Sequence, residues 1–171
     1  MQLEISSLKE NKGKSLDFRF EEDFPSLNFG GRTIAFDKPV IVDGSATNVE
    51  SGILVKCRIK AGIVADCDRC LRPVNIGVET TAVEEFVEAK SVPADEEDED
   101  RDCRVFKGSV IDIKCIVYES ILLNLPMKII CAPDCRGICS SCGTDLNLEE
   151  CGCSRQDVDP RMEKLKDWFK E

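Results

Sequence analysis

The sequence predicts an α+β fold: an antiparallel β-rich meander with a barrel-like body, one central helix, a C-terminal cysteine-rich module of the zinc-knuckle kind and a short terminal helix. Three observations carry this. Runs with a period of two recur through the first half, separated by Gly and Asx turns and by no helix-length segment, which disfavours a doubly wound α/β sheet. One stretch at 109–125 changes to helical spacing. Six cysteines, Cys131, Cys135, Cys139, Cys142, Cys151 and Cys153, then crowd together more densely than packing alone demands.

The body is expected to occupy residues 1–128. In SLDFRF, Leu16, Phe18 and Phe20 fall on one face and Ser15, Asp17 and Arg19 on the other. GRTIAF, KPVIVDG, ILVKCRIKAGIVADC and VNIGVETTAVEEFV follow as strands, with breaks expected at Gly30-Gly31, Asp43-Gly44 and Ala61-Gly62. Residues 93–102, PADEEDEDRD, repel one another and cannot bury themselves, so they read as a solvated acidic loop. A helix is expected at about 112–124, with Asp112 as N-cap and Ile113, Ile116, Val117 and Ile121 at helical spacing. Pro126 should stop it. Alternation through Ile111, Ile113 and Cys115 leaves a strand open for its first residues. Residues 129–171 then form the metal module and its closing helix, where Asp159 caps, Pro160 suits the first turn, and Met162, Leu165, Trp168 and Phe169 make an apolar stripe that docks on the body.

Composition narrows the chemistry. The 171 residues carry 33 acidic and 23 basic side chains, a formal charge of −10, which argues against non-specific coating of nucleic acid. With no histidine, a Ser-His-Asp triad, a Cys-His dyad and any His-containing zinc site are excluded. No P-loop, no G-x-G-x-x-G after a strand and no H-E-x-x-H is present. No apolar run approaches the roughly 20 residues that span a bilayer, so no membrane partner is expected. The start lacks a charged-then-apolar signal pattern, so a cytoplasmic location is expected. An odd count of 11 cysteines in a reducing compartment points to metal, redox chemistry or packing rather than a disulfide framework.

Cys139-Ser-Ser-Cys142 has the gap that turns two thiolates onto one ion, with Gly143 relieving the tight turn, and Cys151-Gly-Cys153 supplies two more sulfurs. Four soft thiolates favour zinc or iron–sulfur over magnesium, calcium or manganese, and a short loop-rich hairpin favours zinc. Such a sphere is closed, so the ion is structural, and one zinc per chain is expected. Arg136 and Arg155 would offset its negative charge. Cys131 and Cys135 are alternates: either replaces a member of the Cys151/Cys153 pair, or the six share two metals. Cys67-Asp-Arg-Cys70 reads as half a second site, as a redox dithiol or as a strand-turn-strand corner; the strand-like VNIGVET after it disfavours the thioredoxin setting, which needs the motif to open a helix. Cys57, Cys103 and Cys115 are expected as packed thiols.

One basic feature stands out against the acidic background. Lys56, Arg58 and Lys60 share one side of a strand, and Arg69 and Arg72 in the next turn extend the stripe, giving five residues that could touch RNA phosphates. The ordinary alternative is a solvated strand face.

From Lys56 to the end the chain resembles the YceD family of large ribosomal RNA subunit accumulation proteins. The resemblance is carried by CDRCLRP at Cys67–Pro73, the EEF of Glu84, Glu85 and Phe86, Ile111-Asp112-Ile113, Tyr118-Glu119, Leu123-Asn124-Leu125-Pro126, CRGICSSCGTDLN, CGC, and the DPR of Asp159, Pro160 and Arg161. Gly137-Ile138-Cys139 stands where many relatives read GLC. The resemblance implies a ribosome-biogenesis role with no reaction of its own: support for large-subunit ribosomal RNA, through a ribosomal protein, a precursor subunit or the RNA, with no small-molecule substrate. The cysteine cluster is not universal in the family, which suits a stabilising role. The rival reading is a zinc- or thiol-dependent redox enzyme using Cys67 and Cys70.

Overall fold

The computed structural model describes residues 1–89 and 104–153. The acidic segment 93–102, Cys103, Arg155 and the closing helix expected at 159–169 lie outside the described residues.

The alternating runs do form strands, and they assemble around the longest apolar alternation. That run is β6 (Ile53–Asp66), whose residues Ile53, Val55, Cys57, Ile59, Ala61 and Ile63 all turn inward. β7 (Pro73–Glu88) pairs antiparallel with the whole length of β6, from Ile53 opposite Phe86 to Asp66 opposite Pro73. On the other edge of β6 lie β5 (Val40–Asn48), opposite residues 53–60, and β4 (Arg32–Phe36), which meets Ile63 and Val64. β2 (Ser15–Glu22) borders β5, and β3 (Leu27–Phe29) hairpins with β4 around Gly30-Gly31. β8 (Arg104–Phe106) runs parallel to the end of β7. Among the described residues no pairing joins β2 to β8, so the seven-stranded sheet is open rather than a closed barrel.

One face of the sheet is covered. β1 (Gln2–Glu4) and β9 (Val110–Asp112) form a separate ribbon, accompanied by helices α1 (Ser6–Lys9) and α2 (Lys114–Leu123). α2 lays Ile116, Val117 and Ile121 against β7 and β6. The core joins these to Leu3, Ile5, Leu8, Val40, Val42, Ile59 and Ile111, and Leu16, Phe18 and Phe20 of β2 pack at its margin as their alternation predicts. Phe24, Phe36 and Tyr118 close one end as an aromatic cluster with ring centroids 4.4 to 6.4 Å apart.

Several expectations need correction. α2 starts at Lys114, not at 112: Asp112 belongs to β9, and its Oδ1 accepts the Lys114 backbone N–H at 2.9 Å from just outside the helix. The strand alternative for Ile111 thus coexists with the helix. α1 is a second helix, too short for periodicity to reveal. Asp43-Gly44 and Ala61-Gly62 do not break strands; both dipeptides lie inside β5 and β6. Gly44 is there for space, since a Cβ would come within 2.4 Å of the Lys56 carbonyl oxygen and 2.8 Å of the Phe18 ring. Cys57 is a packed thiol as expected, but Cys115 is exposed on α2.

Gly44→Ala should therefore lower stability by about 1–3 kcal/mol through overpacking. Gly77→Ala, on β7 with β6 between it and β5 and with nothing within 4 Å of its Cβ position, is the control. Urea unfolding of the two variants measures the difference, and equal midpoints would contradict this role for Gly44.

Candidate metal centres

The full-length pairing of β6 with β7 forces the chain to reverse at residues 67–72, and this reversal is CDRCLR. The Cys67 backbone N–H donates to the Arg72 carbonyl at 2.8 Å, and the Leu71 N–H donates to the Cys67 carbonyl at 2.9 Å. Leu71 takes φ 60, a left-handed conformation uncommon for a branched residue, and its side chain is 62% exposed. Asp68 anchors the segment that follows α2: its backbone N–H donates to the Ile129 carbonyl, its carboxylate accepts the Ile129 N–H, both at 2.8 Å, and its other oxygen pairs with Arg32 at 2.9 Å. This docking brings Cys131 and Cys135 to the turn.

A second reversal lies at 139–144. The Cys139 N–H donates to the Thr144 carbonyl at 2.8 Å, and the Gly143 N–H donates to the Cys139 carbonyl at 2.9 Å, with Gly143 at φ 77. An antiparallel bridge between Ile138 and Asp145 makes this a small hairpin. It stacks on the first turn: the Ile138 N–H donates to the Arg69 carbonyl at 3.0 Å, and Gly137, at φ 77, is obligatory there because a Cβ would sit 2.9 Å from that carbonyl oxygen.

Two groups of four sulfurs result. Cys67, Cys70, Cys131 and Cys135 form one, and Cys139, Cys142, Cys151 and Cys153 the other, with all Sγ atoms of a group within 4.8 Å of one another. Either group can hold a metal ion. In the first, Cys70 and Cys131 are 3.5 Å apart and Cys67 and Cys135 are 4.0 Å apart. These values bracket the edge of about 3.8 Å that a tetrahedron with metal–sulfur bonds of about 2.3 Å requires, and they far exceed a disulfide bond of about 2.05 Å. The Cys139/Cys142/Cys151/Cys153 set is the one the spacing predicts. Cys131 and Cys135, expected as alternates to it, instead complete the half-site of Cys67 and Cys70.

Both groups are electrostatically divided in the same way. Burial opposes ionisation of Cys67, but backbone N–H groups of Arg69, Cys70 and Cys131 outweigh it and bring the thiol down to about 6. The Cys142 and Ser141 N–H groups bring Cys139 down to about 6 as well. Each group also has a sulfur that crowding keeps protonated: Cys131 is pushed up to about 12, first by Cys135 and then Cys70, and Cys153 to about 12, first by Cys142. Donors prepared for thiolate beside sulfurs that cannot all ionise together are what a cation resolves, by displacing the remaining protons.

The five basic residues separate. Arg69 is bonded within the turn region, donating to the carbonyls of Cys135 at 2.7 Å and Pro133 at 3.5 Å. Arg72 lies 3.2 Å from Asp145 with its charge beside Cys70, so it faces the sulfurs. Lys60 pairs with Glu79 at 3.3 Å. Lys56 and Arg58 are exposed on the open sheet face and form no ion pair among the described residues. That face also carries Asp43 paired with Arg19 at 2.9 Å, so its charge is mixed. Among the described residues no helix is long and apolar enough to cross a membrane.

Sequence reasoning missed Asp68, Asp145 and Asn147 as organisers of the sulfurs. The Asp145 carboxylate accepts from the Asn147 backbone N–H at 2.9 Å and the Asn147 side-chain amide at 2.6 Å, while the Asn147 side-chain Oδ1 accepts the Arg136 backbone N–H at 2.7 Å. D-x-N in a loop is an Asx-turn signal that could have pointed to them.

Comparison with known proteins bears on the same region. The family model described as large ribosomal RNA subunit accumulation protein YceD matches residues 55–169. An uncharacterized protein of Mycobacterium tuberculosis is 30% identical over 167 residues, covering 96% of this chain and 79% of its own length. The uncharacterized protein YlbN of Bacillus subtilis is 28% identical over 90% of this chain and 89% of its own. A chloroplastic large ribosomal RNA subunit accumulation protein YCED homolog of Arabidopsis thaliana is 35% identical over 49 residues, 29% of this chain and 15% of its own. No solved structure matches the chain significantly.

The Asn147 N–H, then burial in opposition, then the Asn147 side chain and Arg72, hold Asp145 below the ordinary carboxylate range. Its bonds are therefore intact at neutral pH and are lost as pH falls through that depressed pKa. Asp145→Ala should speed amide hydrogen exchange at Asn147 and Arg136 at pH 7, read by NMR. Unchanged exchange at both would show that the carboxylate does not organise the hairpin.

Proposed function

The chain belongs to the YceD family, and we propose that it is a ribosome-biogenesis factor that supports accumulation of large-subunit ribosomal RNA by binding, not by catalysis. The observation that carries the reading is the match of the family model across residues 55–169. The partner is a basic component of the immature large subunit, a ribosomal protein in the first place. A formal charge of −10 attracts such a partner over distance and leaves the encounter sensitive to salt. Direct RNA contact draws less support, because Arg69, Arg72 and Lys60 are engaged within the protein and only Lys56 and Arg58 remain of the basic stripe. The place of action is the compartment where large subunits are assembled, the cytoplasm of a bacterial cell.

The metal role follows from the donor set. Cys139, Cys142, Cys151 and Cys153 are four thiol donors and leave no open position, which suits structural zinc. Bound there, zinc would supply a cross-link that holds the hairpin, with Arg136 and backbone N–H groups offsetting its charge. A dithiol enzyme built on Cys67 and Cys70 is the weaker reading. The pair lies at a strand-to-strand reversal rather than at the start of a helix, and two further sulfurs crowd it.

Affinity purification of the tagged full chain at low ionic strength should enrich large-subunit proteins or precursor particles. Recovery should fall several-fold as salt rises from about 0.05 to 0.5 M, where the screening length shrinks to a few ångströms. Recovery of neither would remove this function. Metal-replete protein should show no disulfide-reductase turnover above that of free thiol, and sustained turnover would restore the enzyme reading.

A further inference from the structure

Residues 67–72 and 139–144 are unrelated in chain position, yet they fold as copies of one another. In each, the N–H of the first cysteine donates to the carbonyl five residues on, at 2.8 Å, and the N–H four residues on donates back to the cysteine carbonyl, at 2.9 Å. In each, the residue after the second cysteine is left-handed: Leu71 at φ 60 and Gly143 at φ 77. Glycine occupies that conformation freely, whereas leucine is strained by it and gains no burial in return. The turn is held in this form although its sequence resists it, and what the form achieves is to aim Cys67 and Cys70 at the same point as Cys131 and Cys135.

We propose that Cys67, Cys70, Cys131 and Cys135 are a second, independent metal centre, taking Zn²⁺ or another thiophilic divalent ion, so that the chain holds two ions and not one. Three of the four residues are buried. The inner sulfurs have their own donors: Cys67 accepts N–H groups of Arg69 and Cys131 at 3.5 and 3.3 Å, and Cys135 accepts the Asn147 amide at 3.6 Å. The Arg72 guanidinium lies beside Cys70, and Arg69 donates to the carbonyl of Cys135, so two guanidinium charges stand beside a tetrathiolate site that would carry about two net negative charges. Hydrogen-bonded sulfurs and a matched counter-charge are what distinguish a built thiolate site from reduced cysteines packed for volume. The second centre is also different in purpose. The 139–153 set lies within one short stretch and organises it, whereas this set joins the end of the β6–β7 hairpin to a segment some sixty residues away. It staples the cysteine-rich tail to the sheet.

The inference rests on the reading that the chain's thiols carry zinc, and the test separates the two. The reduced full chain is titrated with Co²⁺ as a spectroscopic stand-in, followed by zinc analysis of the replete protein. Saturation at two equivalents is expected, with the sulfur-to-cobalt charge-transfer band growing through both, and two zinc ions per chain. Cys67→Ser/Cys131→Ser should lose one ion and keep the other. Cys139→Ser/Cys151→Ser should do the converse. Limited proteolysis adds an independent readout, because the first variant should become cleavable between α2 and Cys135 several-fold faster, with its remaining ion in place. Saturation of the unmutated chain at one equivalent, or a second equivalent that adds no charge-transfer intensity, overturns the second centre while leaving the first intact. No thiolate-bound cobalt at all would overturn both. The unmutated titration decides even if a variant does not fold.

Discussion

The register of β6 on β7 is the constraint from which the rest follows. Fourteen residues of one strand face fourteen of the other without a slip, and a slip of one would turn every buried β6 side chain to solvent. That pairing puts the core-facing row from Ile53 to Ile63 under α2 and leaves Lys56, Arg58 and Lys60 on the open side. It also fixes where the hairpin reverses, and so where Cys67 and Cys70 stand. Any ion held by the four sulfurs at that tip would therefore be placed by the pairing of the whole hairpin.

At that tip the structure changes its means of cohesion. The body is held by burial: Ile5, Leu8, Val40, Val42, Ile59, Ile113 and Ile121 are fully enclosed. Beyond Ile129 such residues thin out, and Ile138 and Leu148 are exposed, so sulfur, carboxylate and amide groups do the ordering instead. Asp68 ties the tail to the hairpin turn, the Arg69 carbonyl receives Ile138, and Arg72 reaches Asp145. The two arginines that sequence reading placed on a nucleic-acid stripe are thus part of the joint between sheet and tail. Their spacing alone is compatible with either use; only the position of the tail carbonyls and sulfurs decides between them.

Local chemistry was legible where it is local. The faces of β2 and β6 follow from period-two alternation, because a strand turns successive side chains to opposite sides whatever it packs on. Gly30-Gly31 is readable as a turn, with both residues at positive φ, whereas Gly44 and Gly62, expected as breaks, lie inside β5 and β6. A glycine that makes room for a neighbouring Phe18 ring or an Asp37 carboxylate has the same letter as one that bends the chain. α2 starts two residues later than Asp112 suggests for a similar reason: Asp112 does accept a backbone N–H there, but from within β9.

The α+β class, the inward and outward faces of the strands, the family, and the turn that brings Cys139 and Cys142 together are all written in local residue order, since a two-residue gap suits two thiols to one point. How eight cysteines divide into two fours depends instead on contacts between distant segments. Cys131 and Cys135 lie nearer in sequence to Cys139 than to Cys67, and short loops close at less entropic cost, so proximity along the chain keeps them open as alternates to Cys151 and Cys153. What reverses that preference is the sheet: once β6 and β7 are in register and Asp68 has captured Ile129, the distance between Cys67 and Cys131 is set by hydrogen bonds and packing rather than by the residues between them.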